Sequence, residues 1–149
     1  EILQRCYAHL QQKRQSVGVG ALPFEKFFGA EIMNRVELSE YVQNRYSASP
    51  DFPWAKYPSY EVFRHGSNQK WFAVIMEIPR KKLGLDGEGC LQVVNLTCDP
   101  ILIGSLLEEA GFFPGYHMNK EHWITAALDG RIPDEKLKIL LDMSFNATP

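Results

Sequence analysis

Apolar side chains at Ile2, Leu3, Cys6, Tyr7 and Leu10 recur at helical spacing, so residues 1 to 15 are expected to form an amphipathic helix, broken by Ser16-Val17-Gly18-Val19-Gly20. The short aromatic stretch Pro23-Phe24-Glu25-Lys26-Phe27-Phe28-Gly29 follows without a clear period. Leu38, Tyr41, Val42 and Tyr46 mark a second helix from Glu37 to about Ser47, and the prolines of Ser49-Pro50-Asp51-Phe52-Pro53 stop it. The pattern then changes to strand. Residues 59 to 64 and 70 to 79 are rich in β-branched and aromatic side chains and are joined by His65-Gly66-Ser67-Asn68-Gln69, a loop with hairpin chemistry. In the second of these strands Phe72, Val74, Met76 and Ile78 read as the core face, and Trp71, Ala73, Ile75 and Glu77 as the more mixed face.

After an acid- and glycine-rich turn at residues 83 to 89, residues 91 to 97 form a third strand. Asp99-Pro100 is an N-cap with proline at the first helical position, and Leu102, Ile103, Leu106, Leu107 and Ala110 form the stripe of a helix that Gly111 ends. Residues 122 to 128 read as a further strand, Asp129-Gly130 as a turn, and Pro133 opens a terminal helix with Leu137, Leu140, Leu141 and Phe145 inward. Strands joined mostly by hairpins, with helices before, within and after them, predict an α+β domain: an antiparallel sheet with helices packed on one face, in two layers. The domain is expected to span residues 34 to 149, with residues 1 to 33 an N-terminal extension.

Composition adds three constraints. At 149 residues, 45% hydrophobic and 23% charged, the chain suits one globular core. No apolar run approaches the roughly 20 residues of a bilayer span and no basic stretch leads into an apolar region at the start, so a soluble cytoplasmic protein is expected. Cys6, Cys90 and Cys98 match no zinc or CxxC spacing and are expected to be reduced, mostly buried thiols. The net charge of −2 points to no polyanionic partner, but its distribution is uneven: residues 54 to 82 hold six basic against two acidic side chains, and residues 83 to 111 hold none against five.

Three clusters could carry chemistry. Trp54-Ala55-Lys56-Tyr57-Pro58-Ser59-Tyr60, leading to Arg64-His65, is either an aromatic plug closing the core or an edge on which bases stack while Lys56 and Arg64 meet phosphate. Pro114-Gly115-Tyr116-His117-Met118-Asn119-Lys120-Glu121-His122-Trp123 is either a loop braced by His117 and Asn119 or an anion contact made by His117, Asn119 and Lys120. Its two histidines are five residues apart, which fits neither a helical nor a strand metal pair, so no metal is expected. Arg80-Lys81-Lys82 is either a solvated loop or part of a basic patch. The GxSxG, GxxxxGK[ST], HExxH and deaminase signatures are absent, and no carboxylate pair stands out, so no enzyme and no cofactor is expected.

The motifs Trp54-x-Lys56-Tyr57-Pro58-x-Tyr60, Arg64-His65, Asn68-Gln69-Lys70-Trp71, the block from Pro114 to Trp123, Pro133-Asp134-Glu135 and Asp142-Met143-Ser144 together resemble the MmcQ/YjbR family of small bacterial proteins. The resemblance runs over about residues 36 to 146. It implies a YjbR/CyaY-like fold, a cytoplasmic location and a label of DNA-binding protein, with no catalytic residue or cofactor. The leading expectation is a non-enzymatic domain that binds DNA weakly through Lys56, Arg64, Lys70, Arg80, Lys81, Lys82 and Lys120. Its rival is a module that takes a small anionic ligand or a protein partner, a second copy included, in a pocket around Tyr57, Tyr60, His117, Asn119 and Trp123.

Overall fold

The computed structural model describes residues 33–148. The expected helix at residues 1 to 15, the aromatic stretch from Pro23 to Gly29 and Cys6 lie outside the described residues. Helix α1 (Arg35–Tyr46) leads to strands β1 (Glu61–Arg64), β2 (Trp71–Pro79) and β3 (Cys90–Thr97), with a 3-10 turn at Arg80–Leu83. Helix α2 (Pro100–Leu106), strands β4 (Phe112–Pro114) and β5 (Trp123–Ala127) and helix α3 (Asp134–Ala147) complete the chain. The five strands form one antiparallel sheet in the order β1-β2-β3-β5-β4. The three helices among the described residues lie on one of its faces, so the α+β architecture is as the sequence predicts.

Local signals explain where the elements start. Asn34 caps α1 by accepting from the Glu37 N–H, and Asp99 caps α2 by accepting from the Ile101 N–H at 2.8 Å, with Pro100 in the first turn. Helix α2 is one turn shorter than expected. It stops at Leu106, and Leu107 and Ala110 are exposed, because the chain must reverse at Gly111 to pair β4 with β5. Gly111 has φ of 96° and sits against Ile132, a place no side chain could take. The three-residue edge strand β4 was not foreseen, being too short to show a period and ending in proline.

The face assignment of β2 is corrected. Ala73 and Ile75 face the helices with Val94, Leu96, Ile124 and Ala126, while Val74, Met76 and Ile78 face the other side with Val62, Leu91, Val93 and Ala127. Both faces are buried, so alternation alone could not choose between them. Phe72 breaks the alternation. The register slips between Phe63 and Arg64, so that Phe63 pairs with Ala73 and Arg64 with Trp71, and this bulge turns Phe72 toward the helices and Trp71 away from them. The cysteines are corrected too. Cys98 is a free, half-buried thiol whose pKa burial pushes up, but Cys90 is disulfide-bonded.

Polar side chains latch α3 to the sheet. Buried Ser144 donates from Oγ to the Phe72 carbonyl at 2.6 Å and accepts from the Thr97 N–H at 3.0 Å. Buried His65 bonds through Nε2 to the Phe145 carbonyl at 2.7 Å and stacks on the Phe145 ring at 4.0 Å. Asp134 accepts from the Met33 N–H, and Glu61 of β1 binds Arg35 and Ser39 of α1. Replacing Ser144 by Ala should therefore cost about 1–3 kcal/mol in denaturant unfolding, because it strands a strand-end N–H and a carbonyl; a change within error would show that the latch adds nothing.

On the outer side of α3, Asp142 accepts from the Tyr46 hydroxyl at 2.6 Å and from Arg45 at 3.2 and 3.3 Å, which holds its carboxyl below the usual range. A carboxyl lowered on folding stabilises the fold above its unfolded value of about 4 and loses that effect as pH falls through the folded value. Asp142→Asn should be less stable than wild type at neutral pH, and the gap should close in acid. A gap that stays constant with pH would contradict this.

Candidate functional site

The chain from Trp54 to Tyr60 makes two successive turns, with the Tyr57 N–H donating to the Trp54 carbonyl and the Tyr60 N–H to the Tyr57 carbonyl, both at 3.1 Å. The three rings, three residues apart, are thereby set together on the sheet face opposite the helices. Tyr57 stacks on Tyr60 at 4.9 Å, and Trp54 meets Tyr60 and Trp71 edge-on at 6.0 and 5.4 Å. Because the bulge turns Trp71 to this side, the platform extends along the sheet. Lys56 lies over the Tyr57 ring at 5.8 Å and Arg64 over the Trp71 ring at 5.8 Å, while Arg64 also pairs with Asp51 at 3.0 Å.

The loop from Pro114 to Trp123 folds over the same face. Its anchor is a polar pair inside the sheet: Thr125 donates to Asn95 at 2.5 Å, Asn95 donates to the Tyr116 carbonyl at 2.9 Å, and the Tyr116 N–H donates to Thr125 at 2.9 Å. Asn95 and Thr125 are fully buried, so each polar group needs its partner. Gly115 fits only as glycine, since a Cβ there would lie 2.9 Å from the Trp123 Cβ and carbonyl. Tyr116 and Met118 then pack beside Trp54, Tyr57 and Trp71. The hydrogen-bond network, not visible in the sequence, is what joins the first two clusters.

The individual residues divide. Asn119 braces the loop, one of the two readings the sequence left open, its side chain accepting from the Glu121 N–H at 2.9 Å. His117 is exposed, with φ of 58°, and its ring lies against Tyr116 without a side-chain hydrogen bond among the described residues. Lys120 donates to the Gly115 carbonyl at 3.2 Å, and Trp123 is half-buried behind Gly115. Lys70 is exposed at the start of β2, whereas Arg80, Lys81 and Lys82 sit past its far end, about 30 Å away along the strand. Arg80 braces its own turn through the Asp86 carbonyl at 2.9 Å; Lys81 and Lys82 are exposed. The cations thus rim a strip and do not form one patch.

A cavity of about 380 Å³ lies on the helix side, and none of the five residues of the pocket reading lines it. No three His, Cys, Asp or Glu side chains among the described residues converge as metal ligands. No helix among them is long and apolar enough to cross a membrane.

Burial, reinforced by Tyr116 and Tyr57, pushes the Tyr60 phenol above its ordinary value, and burial does the same to Tyr116. Both of these phenols are therefore neutral at physiological pH. A group raised on folding stabilises the protein below its unfolded value, about 10 for tyrosine, and loses that effect as pH climbs through the folded value. Tyr60→Phe should flatten the alkaline loss of stability seen in urea denaturation; an unchanged alkaline slope would contradict this.

Comparison with known proteins fits the geometry. A family model described as YjbR matches residues 43–147. The chain is 41% identical to the uncharacterized protein YyaQ of Bacillus subtilis over 117 residues, covering 78% of this chain and 99% of that one. Against the uncharacterized protein YjbR of Escherichia coli K12 it is 47% identical over 53 residues, covering 35% and 45%. A crystal structure of a Pseudomonas syringae protein superposes with a TM-score of 0.77 at 44% identity, covering 78% of this chain and all of that one. The Deinococcus radiodurans protein DR2400 does so at 0.56 and 27%, covering 78% and 79%. The matched span takes in the latch of α3, the ring-bearing turns and the braced loop alike, and the chain belongs to the YjbR family.

Proposed function

We propose that the protein is a non-enzymatic domain that binds single-stranded DNA weakly along the sheet face opposite its helices. The observation that carries this reading is the row of half-buried Trp54, Tyr57, Trp71 and Tyr116 on one face, with Tyr60 buried beneath them and Lys56 and Arg64 placed over the Tyr57 and Trp71 rings. Rings offer bases a stacking surface regardless of sequence, and cations along the rim neutralise phosphates. A single strand exposes its bases for stacking, whereas a duplex hides them, so the rings favour the former. Binding is weak on this account because Arg64 is already paired with Asp51 and the whole chain carries a charge of −2. Cations at both ends of β2 favour a strand that runs along the face rather than a compact anion.

Fluorescence anisotropy of labelled oligodeoxythymidine, titrated with salt, tests the reading. Affinity should fall with salt, and Lys56→Gln and Lys70→Gln should each reduce the log–log slope by about 0.7. Tyr57→Leu should weaken single-strand binding by about 1–3 kcal/mol while leaving the salt slope in place. Replacing Arg80, Lys81 and Lys82 by Gln should matter only for oligonucleotides long enough to run the length of β2. Absence of salt-dependent binding to any oligonucleotide would overturn the proposal.

A further inference from the structure

On the helix side of the sheet, α2, the last turns of α3 and the end of β3 enclose a half-open cavity of about 380 Å³. Its volume falls within the ~300–1,000 Å³ of small-molecule sites and far exceeds the ~30 Å³ share of one water. Leu96, Leu102, Ile124 and Met143 supply an apolar floor and wall, and Met143, at 46% exposure, stands at the opening. A methionine there can adapt to what enters, since its unbranched thioether chain repacks cheaply.

Among the described residues the one charged side chain of the lining is Asp99, exposed at the mouth beside exposed Asn146, and no lysine, arginine or histidine contributes to it. Asn146 and Ala147 belong to the C-terminal end of α3, a 14-residue helix whose last turn carries no basic side chain, so its partial negative charge adds to that of Asp99. An anion is disfavoured at such a mouth, and a cation is favoured.

We propose that this cavity binds a small apolar molecule bearing a protonated amine, its body against Leu102 and Met143 and its ammonium group between Asp99 and the end of α3. The site is separate from the ring-bearing face and stands whether or not that face binds nucleic acid.

Methionine methyl NMR of the full chain distinguishes the two faces, because Met143 reports on the cavity, and Met76 and Met118 on the opposite face. The probes are 2-(1-naphthyl)ethylamine, 2-(1-naphthyl)ethanol and 1-naphthylacetate, which share one ring system and differ in charge. The amine should shift the Met143 signal selectively, with the carboxylate about tenfold weaker and the alcohol between them. Asp99→Asn, which keeps the cap of α2 because asparagine caps as well as aspartate, should narrow the gap between amine and carboxylate. Leu102→Trp should abolish the Met143 response by filling the space, and Ala147→Phe, at an exposed position, should do so with less risk to the fold. No Met143 shift at millimolar amine, equal affinity for all three probes, or shifts that move Met118 as strongly as Met143 would each overturn the proposal.

Discussion

Seven consecutive residues of β2, Phe72 to Ile78, are buried, and this double-sided burial constrains everything around the strand. A strand apolar on both faces must be covered twice. One cover is made of helices, whose leucines meet Ile75, Val94 and Leu96. The other is made of loops, which cover a sheet only if their backbone polar groups find partners. Here the Asn95–Thr125 pair supplies those partners for the segment at Tyr116, and successive turns supply them from Trp54 to Tyr60. Loops of this kind carry large rings to fill space, and the rings leave edges and faces at the surface where helices would leave only a polar back.

The two covers divide the labour. On the helix side the polar groups are spent on one another: Ser144 on Phe72 and Thr97, His65 on Phe145, Glu61 on Arg35 and Ser39. On the loop side Lys56 and Arg64 sit over rings, while Lys70, Lys81 and Lys82 stand in solvent beyond the two ends of β2. The residues on which the family resemblance was read follow the same division, with His65, Asp134 and Ser144 holding the helix layer and Trp54, Tyr57, Trp71 and Gly115 building the loop layer.

Much of this was legible in the sequence. The period of Leu38, Val42 and Tyr46, the Asp99-Pro100 cap and the stripe of Leu137, Leu140 and Leu141 each mark an element the structure contains, because one-sided burial writes its period into the chain. The faces of β2 were not legible, since two apolar faces give no alternation to read, and the bulge that reorients Phe72 and Trp71 leaves no trace in residue type. The end of α2 was misread because Leu107 and Ala110 continue the helical stripe although the pairing of β4 with β5 needs the chain elsewhere. Of the site, the aromatic density at Trp54 to Tyr60 and at Tyr116 was visible, but not that Asn95 and Thr125 bring the two segments onto one face, nor that the length of β2 holds Lys70 apart from Arg80.

The proposal that single-stranded DNA binds along the loop-covered face and leaves the helix layer untouched is tested most directly by the indole N–H signals of the three tryptophans together with the backbone amides of α3, followed as single-stranded oligodeoxythymidine is added. The account predicts that Trp54 and Trp71 shift together along one binding curve while the amides of Asp134–Ala147 stay where they are. Shifts confined to α3, or none at the two indoles when α3 moves, would contradict it.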